Sequence, residues 1–331
     1  MNEFLKLSEK DRKNILTQAG IRKKLSQLAI EKDWWVTMTL RTLFECECAK
    51  HIVFKGGTSL SKAWNLIERF SEDIDIAIDR NFFGFDGELK KKQINSLRRA
   101  SCSFIKEKLQ YELNQKLQDN GIEGYSLFVE ETNDSTKDPL IIEIHFNSLF
   151  VPDYIRDKIL IEIGARSLIE PSQNVKLRSI IADYFPNERY SDDYFMVPTV
   201  IPQRTFLEKA FLLHEEFQKP LEKIRVDRMT RHIYDLEKLM DTDYVKAALN
   251  NKDLYYAIVE HRRTLTAMKE VDYDTHTPEK INFIPPAAIM DFWRKDYEKM
   301  QNMIYGNSLP FDKLMERIRE LNERFRKIQF E

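Results

Sequence analysis

Hydrophobic and polar positions change rhythm several times along this chain. Residues 8 to 50 carry a helical rhythm with short breaks. Ser8 with Lys10-Asp11 opens it, and Ile21, Leu25, Leu28, Trp35 and Met38 mark one apolar stripe. Ile52-Val53-Phe54 is a short apolar strand leading into Gly56-Gly57. Leu60 to Arg69 then reads as a helix, with Thr58 or Ser59 as its N-cap. Ile74, Ile76 and Ile78 alternate with Asp73, Asp75 and Asp79, the period of two of a strand with one apolar and one acidic face. Glu88 to Asn120 reads as a long helix. Ser126–Val129 and Leu140–Phe146 follow as strands and Ile159–Ile163 extends the sheet or flanks it, with a turn at Asn133-Asp134-Ser135 and Lys137-Asp138-Pro139.

After Pro202 the rhythm is helical throughout, over 204–217, 226–240, 243–249, 254–268, 286–303 and 311–327. The prolines at Val197–Pro202 break the pattern and predict a boundary there, with one lobe over 1–200 and a helical lobe over 201–331.

Composition narrows the class. The chain has 331 residues, 42% hydrophobic and 32% charged, with only 9 glycines and 11 prolines, which excludes fibrous and largely disordered classes. A net charge of −2 carries no global nucleic-acid signal, so any RNA contact must use a local basic patch. No apolar run reaches the roughly 18 residues of a membrane span. The first residues, Met1 to Lys6, lack the apolar core of a secretion signal. Cys46, Cys48 and Cys102 form an odd, sparse set that fits free thiols in a reducing, cytoplasmic compartment.

The chemistry gathers in two short strings. Gly56-Gly57-Thr58-Ser59 lets a backbone approach a phosphate closely at a helix start. Asp73-x-Asp75, on a strand, puts two carboxylates on one face. Like charges so placed need a cation, and Mg²⁺ takes carboxylate and phosphate oxygens together. Glu143, between Ile142 and Ile144, is the candidate third carboxylate. Lys62, Arg69 and Arg204 are candidate phosphate contacts, and Lys90 to Arg99 is a basic stretch able to face RNA or simply solvent. The histidines show no metal spacing, and Trp34, Trp35, Trp64 and Trp293 read as core.

Gly-Gly-Thr/Ser, a helix and Ser-x-Asp-x-Asp together resemble the nucleotidyltransferase core of the DNA polymerase β type. The longer string KGGTSLSKAW…RFSEDIDI resembles the AbiEii/AbiGii toxin family, including the mycobacterial MenT toxins. Glu31-Lys32-Asp33-Trp34-Trp35, the Arg204–Lys209 and Arg231–Leu236 strings and the C-terminal Asp296–Met300 and Met303–Gly306 strings extend the match over most of the chain. The resemblance implies an α+β fold, a small mixed sheet flanked by helices plus a C-terminal helical lobe. It implies transfer of a nucleotide from an NTP with Mg²⁺ held by Asp73, Asp75 and Glu143. It assigns catalysis to Asp73, Asp75, Lys209 and Asp235, and nucleotide binding to Gly56, Gly57, Thr58, Ser59, Arg69, Ser71 and Lys209. It also marks Ser71 as a site of inhibitory modification. A toxin of a toxin–antitoxin or abortive-infection (phage defence) system is implied, with a cognate antitoxin encoded nearby. The acceptor it implies is tRNA, whose 3′ end would lie across the cleft between the lobes. A transferase acting on a protein or small molecule, or a degenerate nucleotide-binding module, stands as the alternative.

Overall fold

The computed structural model describes residues 2–151 and 157–330. The chain divides into two units, Met1–Trp64 with Phe70–Val200, and Asn65–Arg69 with Ile201–Glu331.

The first unit is built on seven strands: β1 (Ile52–Lys55), β2 (Ile74–Ile78), β3 (Tyr125–Val129), β4 (Leu140–Phe146), β5 (Lys158–Gly164), β6 (Ser172–Leu177) and β7 (Phe195–Val200). They form one mixed sheet in the order β3-β4-β5-β2-β1-β7-β6. The pairs β2/β5 and β1/β7 are parallel and the rest are antiparallel. Alternation decides the faces. Ile74, Ile76, Ile78, Ile142, Ile144, Ile159, Ile161 and Ile163 point into one core with Trp34 and Trp35. Asp75 and Glu162 therefore stand on the opposite face.

Helices α1 (Glu9–Lys23) and α2 (Gln27–Leu43) precede the sheet, each capped by a serine hydroxyl, Ser8 and Ser26. Ile21, expected on the apolar stripe, is 73% exposed, because α1 ends at Lys23 and Lys24 turns left-handed, so the stripe does not continue. A short helix, α3 (Gly56–Thr58), continues as a wide turn over Ser59–Ala63. It begins at the glycines without a side-chain cap and stops at Trp64, whereas the sequence pattern predicts a helix to Arg69 with Thr58 or Ser59 as its cap. Asn65, in a left-handed conformation, ends it. The long basic helix is α4 (Lys91–Phe104), a wide turn at Ile105–Leu109, and α5 (Gln110–Asp119). The short α6 (Ile180–Tyr184) follows β6.

The second unit is helical: α7 (Pro202–Glu216), α8 (Thr230–Leu239), α9 (Asp243–Leu249), α10 (Lys252–His261), α11 (Met290–Met300) and α12 (Phe311–Arg326). Phe206, Phe211, Ile233, Tyr255, Trp293, Ile318 and Phe325 fill its interior. Residues 65–69 form a strap in this unit. The Glu68 carbonyl accepts the N–H of Tyr305 at 3.0 Å and of Gly306 at 3.3 Å, and Arg69 bridges to Ile304. A Cβ at Gly306 would lie 2.2 Å from the Glu68 carboxyl group, so glycine lets the strap approach.

Candidate functional site

In the first unit the glycine turn and the acidic strand are in contact. β1 delivers Gly56 at φ +80°, and a Cβ there would sit 1.8 Å from Asp75 Oδ2. The position thus requires glycine twice, for the left-handed backbone and for the carboxylate lying against it. Thr58 and Ser59 are buried. The Ser59 hydroxyl donates to the Gly56 carbonyl at 2.8 Å. The Thr58 hydroxyl donates to the Asp73 carbonyl and shares a hydrogen bond with Ser71 Oγ at 2.9 Å. The Ser59 hydroxyl closes the turn on itself, and the Thr58 hydroxyl ties it to the chain entering β2. The half-exposed backbone of Gly56 and Gly57 is what the turn offers to a ligand.

Register assembles the acidic face. Asp75 pairs with Lys55 on β1 and with Glu162 on β5, a row of one cation and two carboxylates across three strands. Asp73 lies two residues before Asp75, ahead of the first β2 residue. Glu143 stands elsewhere. It pairs with Leu160, two strands over and two residues along from Asp75, or about 12 Å at ordinary strand spacings. Lys158 Nζ contacts both its carboxylate oxygens at 2.9 Å, and His145 Nε2 lies at 2.7 Å. Hydrogen bonding to His145, reinforced by Lys158, holds Glu143 below the usual carboxylate range. The register thus places Glu162, and not Glu143, in the row with Asp75. Ile161-Glu162-Ile163 repeats the Ile-Glu-Ile pattern of 142–144, so the local signal that selects Glu143 fits Glu162 equally.

Among the described residues no three acidic, histidine or cysteine side chains already converge as a metal cage. Mg²⁺ does not require one, since it binds through one or two carboxylates and completes its shell with water and phosphate oxygens. The Asp75 and Glu162 row beside the glycine turn, with Asp73 two residues before Asp75, offers carboxylates of that kind. Lys62 does not reach outward to a phosphate; its Nζ is 2.7 Å from Asp33 Oδ1.

A second group lies in the helical unit. Asp235 is fully buried and accepts Arg69 Nε at 2.7 Å, Arg69 Nη2 at 2.7 Å and Lys209 Nζ at 2.9 Å. Burial pushes Asp235 up, but Arg69 and Lys209 outweigh it and hold the carboxyl below its ordinary range. Burial pulls Lys209 down despite Asp235. Arg204 is buried beside Glu208, with Nε to Oε1 at 2.9 Å. Arg69, Lys209 and Asp235, separate candidates in the sequence, are thus one ion-paired cluster. On α4 and just before it, Lys90, Lys91, Lys92 and Arg99 are exposed and Arg98 is half-buried.

A family model described as nucleotidyl transferase AbiEii toxin, type IV TA system, matches residues 39–317. The chain belongs to the AbiEii toxin family. It is a nucleotidyltransferase and the toxin of a type IV toxin–antitoxin system, a class that works with a nucleotide substrate and a cognate antitoxin. Among solved structures it is similar to MenT4, a nucleotidyltransferase toxin of Mycobacterium tuberculosis H37Rv, at 16% identity and TM-score 0.46 over 98% of this chain and 99% of that one. It is also similar to JHP933 of Helicobacter pylori, at 13% identity and TM-score 0.38 over 92% and 95% of the two chains. Likenesses this distant carry no argument, and the family match stands without them. No curated protein matches the sequence. Among the described residues no helix is long and apolar enough to cross a membrane.

Proposed function

We propose that this AbiEii-family chain transfers a nucleoside monophosphate from an NTP to the 3′ hydroxyl of an RNA, tRNA above all, in a Mg²⁺-dependent reaction. The contact of the Gly56 backbone with the Asp75 carboxylate carries the reading, because it sets a phosphate-approachable turn against an acidic face. Asp73, Asp75 and Glu162 would hold the metal, which supplies neutralisation of the triphosphate and of charge developing on it. The Gly56–Gly57 backbone receives phosphate oxygens, and Lys209 and Asp235, paired in the helical unit, are required for transfer. The acceptor oxygen forms a bond to the α-phosphorus and the α–β phosphoanhydride bond breaks. The hydroxyl proton passes to one of the two aspartates, and pyrophosphate leaves. The exposed cations from Lys90 to Arg99 suit an RNA backbone, and the toxin class fits an acceptor whose loss halts translation.

The test incubates the protein with each α-labelled NTP and with total RNA, protein and small molecules. Label on tRNA 3′ ends, lost in Asp75→Asn and with Mg²⁺ chelated, is the expected result. Label on protein or a small molecule instead replaces the acceptor. Reversal of Arg98 and Arg99 to Glu is expected to cut RNA labelling and leave NTP binding intact.

A further inference from the structure

Three consecutive charges, Glu31, Lys32 and Asp33, lie in the middle of α2 and are only 3%, 1% and 6% exposed. Each ties α2 to a different part of the first unit. Glu31 accepts the Leu149 N–H at 3.0 Å and the Ser148 hydroxyl at 2.7 Å. Lys32 Nζ lies 2.7 Å from Glu72 Oε2, and Glu72, itself 3% exposed, immediately precedes Asp73. Asp33 Oδ1 takes Lys62 Nζ at 2.7 Å, and Lys62 stands near the far end of the helical turn that begins at Gly56. The other Asp33 oxygen accepts the Ile180 N–H at 2.7 Å, at the start of α6.

Buried ion pairs are weak devices for stability, because apolar residues of equal size serve as well or better. What this arrangement adds is position. One turn of one helix grips the chain just before the aspartates and the chain just after the glycines. We propose that Lys32 and Asp33 are positioning residues that fix the spacing between the Gly56–Gly57 turn and the Asp73–Asp75 strand. Lys32, through Glu72, aims the metal-binding carboxylates; Asp33, through Lys62, holds the turn that meets the nucleotide. The inference rests on the metal and nucleotide roles proposed above.

The test compares full-length wild type, Lys32→Met/Glu72→Met, Asp33→Asn and Asp75→Asn. The double variant removes both members of the pair together, and its urea midpoint is expected to stay near that of wild type. Its Mn²⁺ affinity, read from free-Mn²⁺ electron paramagnetic resonance without nucleotide, is expected to fall about 10–100-fold, with nucleotide transfer falling alongside. Asp33→Asn is nearly isosteric and is expected to raise the KM for NTP several-fold while Mn²⁺ affinity holds. A folded double variant that binds Mn²⁺ and transfers nucleotide like wild type overturns the Lys32 arm. An unchanged KM in Asp33→Asn overturns the other arm, whether or not the double variant folds. If wild type binds no Mn²⁺, or Asp75→Asn binds it equally well, the metal reading fails first, a result distinct from either.

Discussion

Replacing Asp235 with Asn tests whether the cluster in the helical unit is held together by charge. Asp235 faces two cations and is fully buried. The amide keeps the shape, removes the negative charge and turns one acceptor into a donor aimed at a cation. Breaking a buried pair in this way costs about 3–5 kcal/mol, because the surviving charge stays buried without compensation. Lys209→Met differs. It leaves the two bonds from Arg69 to Asp235 in place and removes the excess cation, so its cost is expected to stay below about 1.5 kcal/mol. The cost of Asp235→Asn also carries a pH signature. Burial already lowers the Lys209 pKa and Asp235 opposes that. Without Asp235 the folded-state pKa falls further below its unfolded value, so the folded state binds fewer protons. Stability of the variant then rises with pH as Lys209 sheds its proton, and the deficit narrows as the pH is raised toward the ordinary lysine value of about 10.4. Urea unfolding followed by far-ultraviolet circular dichroism, over that rise in pH, measures all three quantities. An Asp235→Asn protein as stable as wild type, or a Lys209→Met protein that loses as much, refutes the charge argument. Both variants are expected to lose nucleotide transfer, which separates their shared functional role from their unequal structural one.

Gly56→Ala is expected to abolish transfer and to destabilise the chain by about 1–2 kcal/mol from the left-handed backbone alone, more if Asp75 cannot swing away from the new Cβ; full activity would show that the close approach is idle. Glu162→Gln is expected to lower transfer at least about 100-fold and Glu143→Gln to leave it within about threefold; the reverse ranking in a steady-state assay would restore Glu143 as the third carboxylate. Burial and the neighbouring His276 push His214 from 6.5 down to about 4. Its unfolded form therefore takes up a proton first, and stability is expected to fall as pH drops from about 6.5 to about 4, by roughly 3 kcal/mol in total. His214→Gln should flatten that limb in urea titrations, and parallel losses in both proteins would discount His214.

Much of the fold is visible in local pattern because local pattern is what the elements use. The Ile-rich alternation of β2, β4 and β5 follows from one buried face. The helical unit follows from its 3.6-residue rhythm. β6 was not legible, since Ser172–Leu177 is mostly exposed and alternates weakly. β7 was hidden by Pro198, which reads as a breaker; β7 is in register with β1 only at Phe54↔Thr199, which leaves room for a residue without an N–H. The helix expected to Arg69 stops early because 65–69 answers to partners more than 230 residues away, Ile304 to Gly306. No local propensity contains that information.

The site divides along the same line. Gly56 and Asp75 are legible because their residue types are demanded where they stand, by a positive φ and by an acidic residue in an apolar strand. Glu162 and Glu143 occupy the same kind of position, and only the pairing of β5 with β2 separates them. Pairing is a long-range property, set by which apolar faces must be buried together, so a residue-by-residue reading cannot rank the two. The charges of α2 fail for the opposite reason. Glu31, Lys32 and Asp33 enter the sequence reading only through the family resemblance, and periodicity does not show that each is buried against a partner supplied by another element. Where a family's pattern runs through charges inside an otherwise apolar helix, burial with a distant partner is the reading that explains both the chemistry and its cost, and it directs experiment to the partner, Glu72 or Lys62, as much as to the charge itself.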